Sequence, residues 1–404
     1  MKKSSSAKQD YEGAVGVVKR LREKGFQAFL VGGCVRDKLL GRVPREYDIA
    51  TGATPEQVME IFQRTVPVGA QFGVIIVLFK GGEYEVATFR AEGQYTDGRR
   101  PDSISFVSAQ EDVLRRDLTV NGLLEDPLSG TIKDFVGGRD DLAAGVVRAI
   151  GNPIERFTED HLRILRALRF AATLEFEIDP NTLSAAKQMA DSVNNVAAER
   201  IHKELSRSFA EGSAKRAYDL LIETGVLRVV LPQADFSNTK HVSAVFGMLG
   251  SCDFATALAA MIPTAKATLV NDLGQQLKLS TVEKNHLQYL LTALPTFAKE
   301  RSHADEIRFV RHKMWPLAAR LHGAQRKAAA LDTQRLERLE KLLADASQET
   351  LHPPRLLNGN DLQKMGIKPG PHFKTLLESL ETEQLEGRVE TREQAEELIA
   401  KLTN

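Results

Sequence analysis

The sequence predicts an α+β fold, in which an N-terminal mixed β-sheet with helices is followed by an all-α remainder. Short β-branched and aromatic runs, bounded by glycines or charges, are confined to the first 150 or so residues. Beyond them the apolar residues recur at helical spacing, with no further strand pattern. A chain of 404 residues is long enough for roughly two to four domains.

The N-terminal region begins with helical apolar spacing over residues 12–24, followed by the strand-like run FQAFLV. The polar, turn-rich stretch GQYTDGRRPD at 93–102 predicts a loop that joins two strands. The other predicted strands are VIIVLF (74–79), YEVATF (84–89) and SISFV (103–107).

The remainder shows one helical segment after another, and Thr158 is the predicted N-cap of the first. The GIKPGP turn at 366–371 precedes two closing helices. The predicted helices before it are 158–173, 181–191, 197–210, 214–225, 239–262, 282–298, 303–322 and 332–346.

The composition excludes several classes of protein. No apolar run approaches the roughly 18 residues that a membrane span needs, and we expect no membrane association. Two cysteines exclude a disulfide scaffold and favour a reducing cytoplasm. The 54 basic and 54 acidic residues balance, so no global basic charge indicates nucleic acid. No protein partner is evident.

The segment VGGCVRD at 31–37 is the first candidate binding feature. Glycines let the backbone approach a bulky anion closely, and a helix follows at once. Arg36, one turn into that helix, is placed to pair with a triphosphate. A plain strand-to-helix turn is the alternative.

Two carboxylates, Glu46 and Asp48, lie one step apart in REYDIAT. On a strand, alternate side chains face the same way, so the two would project together. Such a pair can hold divalent ions, which activate an attacking hydroxyl and neutralise a leaving pyrophosphate. Glu85 is a candidate third carboxylate if its strand is a neighbour. A solvated strand face is the alternative.

The segment LRRDLTVNG offers Arg115 and Arg116 as guanidinium forks for phosphate, with Asp117 and Asn121 as polar groups for a ribose hydroxyl. A surface cluster of ion pairs is the alternative explanation for these residues.

In FTEDHLRILRALRF, charged residues recur at three-residue steps at Asp160, Arg163, Arg166 and Arg169. Successive members are neighbours on a helix. A carboxylate and an arginine one turn apart can present acceptors and donors to the edge of a base. An internally paired helix face is the alternative.

The order and spacing of the motifs are more specific than any single motif. Along residues 28–205 the chain reads GGCVRD, EYDIATGATPE, VGAQFGVI, EVATFR, RRDLTVNG, DFVGG, EDHLRILRALRF and AERIHKEL. In this order they resemble the class II tRNA nucleotidyltransferase and bacterial poly(A) polymerase family. The resemblance implies a template-independent polymerase that builds the 3′ end of tRNA from CTP and ATP.

The resemblance also implies which residues bind substrate and metal. Glu46 and Asp48 would ligate Mg²⁺, with Glu85 as a further catalytic carboxylate. The first of these acids is normally Asp in the family, so Glu46 is a departure that affects metal preference or rate. The implied phosphate- and ribose-binding residues are Gly32, Gly33, Arg36, Arg116, Asp117 and Asn121.

In the family an EDxxR motif pairs with the incoming base in place of a nucleic-acid template. That role falls on Glu159, Asp160 and Arg163, with Arg166 and Arg169 in support. An Asp accepts from the exocyclic amine that C and A share, and an Arg donates to a ring nitrogen or carbonyl. G and U would be rejected because their carbonyls face the acceptor oxygens.

The resemblance divides the chain into a nucleotidyltransferase head (1–150), a neck (151–213), a body (214–345) and a tail (346–404). The 93–102 loop matches a flexible loop that is shortened in enzymes restricted to adding CC, and here it is full length. Candidate tRNA contacts are Arg308, Arg311 and Lys313, with Lys368 in the tail.

Three alternatives stay open at this stage. Addition of the terminal A alone shares the same motifs with complete CCA addition. A poly(A) polymerase is the runner-up enzyme, although VGAQFGVI lacks the basic pair that such relatives tend to carry. A catalytically weakened RNA-binding protein is suggested only by Glu46.

Overall fold

The computed structural model describes residues 2–69, 73–92, 104–262 and 267–403. The loop predicted at 93–102 and the centre of VGAQFGVI lie outside the described residues. The chain forms two compact units, Met1–Ala234 with Gln276–Lys278 and Asp235–Gln275 with Leu279–Asn404. Among the described residues no helix is both long and apolar enough to span a membrane.

All the described strands lie in the first unit. They are β1 Ala28–Val31, β2 Asp48–Thr51, β3 Thr65–Gly69, β4 Val74–Phe79, β5 Gly82–Thr88, β6 Arg90–Glu92, β7 Ile104–Phe106, β8 Leu124–Asp126, β9 Thr131–Lys133, β10 Val146–Val147 and β11 Glu177–Ile178. The strands predicted at 74–79, 84–89 and 103–107 are therefore confirmed within a residue or two. The short β11 was not predicted; it pairs in parallel with β10.

Within the described ranges, seven strands form one mixed sheet in the order β3-β4-β5-β2-β1-β8-β9. The β2–β5 pair is parallel, and the other neighbours are antiparallel. Val31 at the end of β1 pairs with Asp48 at the start of β2. Ile49 pairs with Val86, so Asp48 and Glu85 lie side by side at one end of the sheet.

Some helices of the first unit alternate with the strands of this sheet along the chain, and the others follow the sheet in the sequence. Phe29, Val31, Ala50, Phe89 and Leu124 belong to one buried apolar cluster of the sheet. The helices are α1 Lys2–Glu23, α2 Gly33–Leu39, α3 Pro55–Ile61, α4 Ala109–Leu114, α5 Gly138–Ala144, α6 Pro153–Glu159, α7 Leu162–Leu174, α8 Pro180–Gln188, α9 Ala198–Ala210, α10 Ala214–Glu223 and α11 Val226–Val230, with short 3-10 helices at Thr119–Asn121 and Ala190–Asn195.

The predicted N-cap at Thr158 is wrong. Asn152 caps α6 by accepting from the backbone N–H of Ile154, and Pro153 occupies the first turn. Thr158 therefore lies inside α6, where its hydroxyl donates to the Ile154 carbonyl. The EDHLR motif spans a break between two helices, because Asp160 is extended at φ −143°.

Helices are the only regular elements among the described residues of the second unit. Two of the long predicted helices, 239–262 and 303–322, are each interrupted; the first stops at Gly250, which has φ 71°, and Asp253 caps the next. The helices are α12 Thr239–Leu249, α13 Phe254–Met261, α14 Ala267–Gln276, α15 Thr281–Ala293, α16 His303–Val310, α17 Trp315–Ala328, α18 Gln334–Asp345, α19 Gln348–Leu351, α20 Gly359–Lys364, α21 His372–Leu385 and α22 Arg392–Thr403, with a short helix at Leu294–Ala298.

Candidate active site

A cavity of about 680 Å³ opens in the first unit, at the end of the sheet where β1 and β2 meet. This volume lies within the roughly 300–1,000 Å³ typical of small-molecule sites. Most residues predicted from the motifs line it. They are Gly32, Gly33, Arg36, Glu46, Asp48, Arg116, Asp117, Asn121, Asp160, Arg163, Arg166 and Arg169.

The two-glycine turn joins β1 directly to α2. Gly32 has φ 72° and ψ −128°, a conformation that side-chain-bearing residues rarely adopt. Arg36, one turn later, donates from Nη1 to Asn121 Oδ1 at 2.8 Å and from Nη2 to Asp37 at 2.6 Å. The turn therefore brings an anchored guanidinium to the cavity wall.

Asp48 lies beside this turn and feels the charges of two other carboxylates, Glu85 and Glu46. Burial, followed by the charges of Glu85 and Glu46, raises the pKa of Asp48 to about 7 even though Arg116 opposes the shift. Glu46 precedes β2 and is exposed, so the two acids are not one step apart on a strand. The adjacent Cys34 is buried, and burial raises the pKa of its thiol to about 12.

These carboxylates suit a hard divalent ion. Their oxygens are the ligands that Mg²⁺ and related ions prefer, and a cation would relieve the repulsion felt by Asp48. Among the described residues no three His, Cys, Asp or Glu side chains are grouped closely enough to hold a metal by themselves. Water and substrate phosphates complete the coordination in sites of this kind.

A buried acid anchors the two arginines of LRRDLTVNG. Asp112 is 1% exposed and contacts Arg115 at 2.7 Å and Arg116 at 3.0 Å. Burial alone would raise the pKa of Asp112, but the guanidiniums of Arg116 and Arg115 outweigh burial and lower it. The carboxylate stays ionised and holds Arg116 at the cavity wall.

Asp117 connects the one-turn helix Thr119–Asn121 to α7. Its carboxylate accepts from Arg166 Nε at 2.6 Å and from the backbone N–H of Leu118 at 2.8 Å. Burial raises its pKa, but Arg166 and then Arg163 lower it below the usual value. Arg166 also lies 3.8 Å from Glu204, which pairs with Arg169.

At the break between α6 and α7, the carboxylate of Asp160 and the guanidinium of Arg163 line the cavity. Asp160 accepts from both terminal nitrogens of Arg200, at 3.1 and 2.7 Å. Arg163 donates to Glu159 at 2.5 Å and to the Arg115 carbonyl at 3.0 Å. Both groups are therefore held in place by hydrogen-bonded neighbours.

The cavity residues that sequence reasoning did not assign to the site include Arg200 and Phe170. Arg200 belongs to AERIHKEL, which was recognised only as a motif, and its partner Asp160 lies 40 residues away. Phe170 is the last residue of RALRF, and its helical spacing predicts a core residue, so nothing in the sequence pattern pointed to a role in the site. Glu85 and Glu159 flank the cavity residues Asp48 and Arg163.

The candidate tRNA-binding residues lie in the second unit. Arg308 on α16 and Arg311 at the C-cap of that helix both pair with Glu381 of α21, at 3.0 and 2.8 Å. Lys313 and Lys368 are exposed, the latter in the turn between α20 and α21. The two arginines are therefore engaged in ion pairs within the protein, whereas the two lysines are exposed on its surface.

Three family models match the chain in succession. Residues 28–148 match the poly A polymerase head domain, and 175–237 match the probable RNA and SrmB-binding site of polymerase A. Residues 255–400 match a putative tRNA nucleotidyltransferase domain 2. Together with the cavity, these matches define a nucleotidyltransferase.

Full-length relatives are more specific. The CCA-adding enzyme of Ligilactobacillus salivarius is 33% identical over 385 residues, covering 94% of this chain and 93% of that protein. The Geobacillus stearothermophilus CCA-adding enzyme is 43% identical over 226 residues, covering 56% of this chain and 55% of that protein. The chain belongs to the CCA-adding enzyme family, and such nucleotidyltransferases use a divalent metal ion.

Solved structures agree with this assignment. A crystal structure of the Bacillus stearothermophilus CCA-adding enzyme in complex with CTP superposes with a TM-score of 0.81 at 29% identity, covering 98% of both chains. The Thermotoga maritima CCA-adding enzyme complexed with tRNA shares the fold, with a TM-score of 0.68 at 22% identity over 96% of this chain and 94% of that one.

Proposed function

We propose that this protein adds the 3′-terminal CCA to tRNA from CTP and ATP, without a nucleic-acid template. One observation carries the proposal: a single cavity is lined by the carboxylate of Asp48, by the anchored arginines Arg36 and Arg116, and by both Asp160 and Arg163. These groups suit a metal, a triphosphate and a base edge. A relative of the same fold was crystallised with CTP.

The proposed ion is Mg²⁺, held by Glu46 and Asp48 with Glu85 beside them. When bound, it activates the attacking 3′-hydroxyl of tRNA and neutralises the leaving pyrophosphate. Arg36 and Arg116 contribute to the same step by pairing with the triphosphate, since each guanidinium is already oriented by Asn121 or Asp112.

In our proposal Asp160 and Arg163 select the base. Asp160 accepts from the exocyclic amine of C or A, and Arg163 donates to a ring nitrogen or carbonyl. U and G present carbonyl oxygens to the Asp160 carboxylate, and a desolvated site penalises this contact between two acceptors strongly. Asp117 and Asn121 are proposed for the ribose.

The tRNA itself is proposed to contact exposed cations of the second unit. Lys313 and Lys368 suit phosphates, whereas Arg308 and Arg311 already pair with Glu381. The division into head, neck, body and tail is part of this proposal, with 346–404 as the tRNA-binding tail. So is a cytoplasmic location, in keeping with two free cysteines.

Extension of three tRNA substrates tests the proposal. They end at the discriminator base, at C and at CC, and receive CTP and ATP separately and together. Growth of all three to CCA is expected. Extension of only the CC-ended substrate by one A would indicate a terminal-A enzyme, and long A tracts would indicate a poly(A) polymerase.

A variant pair tests the role of the acids in the same assay. Asp48→Ala is expected to abolish extension, because metal stabilisation of charge contributes several kcal/mol. Glu46→Asp is expected to retain activity, since aspartate keeps a carboxylate ligand and Glu46 lies outside β2 on an exposed segment. A strong gain in Glu46→Asp over a nearly inactive parent would instead indicate a weakened enzyme.

A further inference from the structure

Three guanidinium groups surround one aromatic ring in the cavity wall. The Cζ atoms of Arg169, Arg36 and Arg166 lie 3.9, 4.9 and 5.5 Å from the centre of the Phe170 ring. Arg166 and Arg169 precede Phe170 on α7, whereas Arg36 belongs to α2. The Phe170 ring therefore lies between α7, whose Arg163 is proposed to bind the base, and α2, whose Arg36 is proposed to bind the triphosphate.

Each of these guanidiniums is also held by a polar or acidic partner. Arg36 is bonded to Asn121 and Asp37, Arg166 to Asp117 and Arg169 to Glu204. Such in-plane hydrogen bonds fix the edge of a guanidinium but leave its tilt to whatever packs against its face. Phe170 is in the place to supply that packing for all three.

The environment strengthens this contact. Phe170 is 8% exposed, and Arg36 and Arg169 are 8% and 2% exposed. The negative face of an aromatic ring attracts a cation more strongly when both are withdrawn from water. The same ring reduces the repulsion among three like charges that hydrogen bonding alone would leave close together.

We infer that Phe170 is a positioning residue for nucleotide binding, which acts through Arg36 and Arg166. This inference rests on the proposed function. By contacting α2 and α7 at once, the ring fixes the spacing between the arginine that pairs with the triphosphate and the helix that reads the base. The nucleotide then meets donors that are oriented before it arrives.

Phe170→Leu tests the inference, because leucine fills similar space without a π face. The KM values for CTP and ATP are expected to rise about tenfold while kcat stays within about threefold, since ground-state and transition-state binding are lost alike. Phe170→Tyr keeps the π face and is expected to restore both KM values. Unchanged KM values in Phe170→Leu would overturn the inference.

A matched control and a double variant separate positioning from packing. Phe157→Leu alters a ring on α6 that is 1% exposed, and its nucleotide KM values are expected to stay at the wild-type level. Adding Phe170→Leu to Arg36→Met is expected to raise KM much less than it does in wild type. Fully additive effects, or an equal rise in Phe157→Leu, would contradict the inference.

Binding of CTP alone, measured by calorimetry, distinguishes failure of the inference from failure of the proposed function. A wild-type protein that binds CTP but extends no tRNA would overturn the proposed function and not the inference. Weaker CTP binding in Phe170→Leu would then still support the inference, and equal binding would overturn it.

Discussion

At the scale of single residues, Asp48 is an acid held in an unfavourable environment. It is buried, its neighbours Glu85 and Glu46 are both acidic, and Arg116 compensates only in part. Folding raises its pKa from 3.8 to about 7. The metal-free protein therefore loses stability from this group as the pH rises through the window from about 4 to about 7.

A divalent ion should reverse this loss by binding the ionised carboxylate. We expect MgCl₂ to raise the melting temperature more at pH 8 than at pH 6, because binding at the lower pH must first remove a proton from Asp48. Thermal unfolding with and without the ion measures the difference. Asp48→Asn is the control, in which the difference should disappear. Equal shifts at both pH values in wild type would contradict the assignment.

The residue scale also shows what the sequence could predict. The family resemblance carried by their motifs implied that Arg36, Asp48, Asp160 and Arg163 share one site, and the cavity brings them together. The partners that orient them were not predictable. Arg200 reaches Asp160 across 40 residues, and local periodicity carries no information about such a contact.

At the scale of elements, the break between α6 and α7 gives the EDHLR motif its shape. The sequence predicted one helix from Thr158, because Glu159 and Asp160 suit a first turn. Asn152 and Pro153 are a stronger start signal, and they begin a helix six residues earlier. The earlier helix then ends where Asp160 must turn toward the cavity.

This revised boundary predicts how substitutions at the observed cap, Asn152, and at the expected cap, Thr158, change stability. Asn152→Ala should lower the free energy of unfolding by about 1 kcal/mol, because it removes the acceptor of the Ile154 N–H. Thr158→Ala should cost less than about 0.5 kcal/mol, as an exposed side chain within α6. Urea unfolding measures both. A larger loss in Thr158→Ala would restore the original boundary.

The pairing of α7 with α9 depends on a buried charge pair. Glu204 and Arg169 are 4% and 2% exposed and bonded at 2.5 Å. Glu204→Gln leaves the arginine uncompensated and should cost about 3–5 kcal/mol. The control Glu223→Gln breaks an exposed pair with Lys187 and should cost below about 1 kcal/mol. Similar melting temperatures for the two variants would refute this account.

At the scale of the whole molecule, the sequence predicted the change from mixed sheet to helices near residue 150. The change marks the end of the strand patterns in the sequence, but it is not the boundary of the first compact unit. Helix α7 bonds back to the preceding region through Arg163 to the Arg115 carbonyl and through Arg166 to Asp117. The first compact unit accordingly continues to Ala234. The four-segment division stays a prediction.

The most direct test of the central claim is nucleotide selection, since protein side chains are proposed to replace a template. Incorporation of CTP, ATP, GTP and UTP into tRNA would be compared in wild type, Asp160→Ala and Arg163→Ala. The control, Arg216→Ala, breaks a pair with the exposed Glu177.

Wild type and Arg216→Ala are expected to use CTP and ATP and to reject GTP and UTP. Asp160→Ala and Arg163→Ala should lose about 10–100-fold in CTP and ATP incorporation, the worth of a charged hydrogen bond, with tRNA binding intact. Their discrimination against GTP and UTP should fall as well. Equal misincorporation of GTP and UTP by wild type and both variants would contradict the claim.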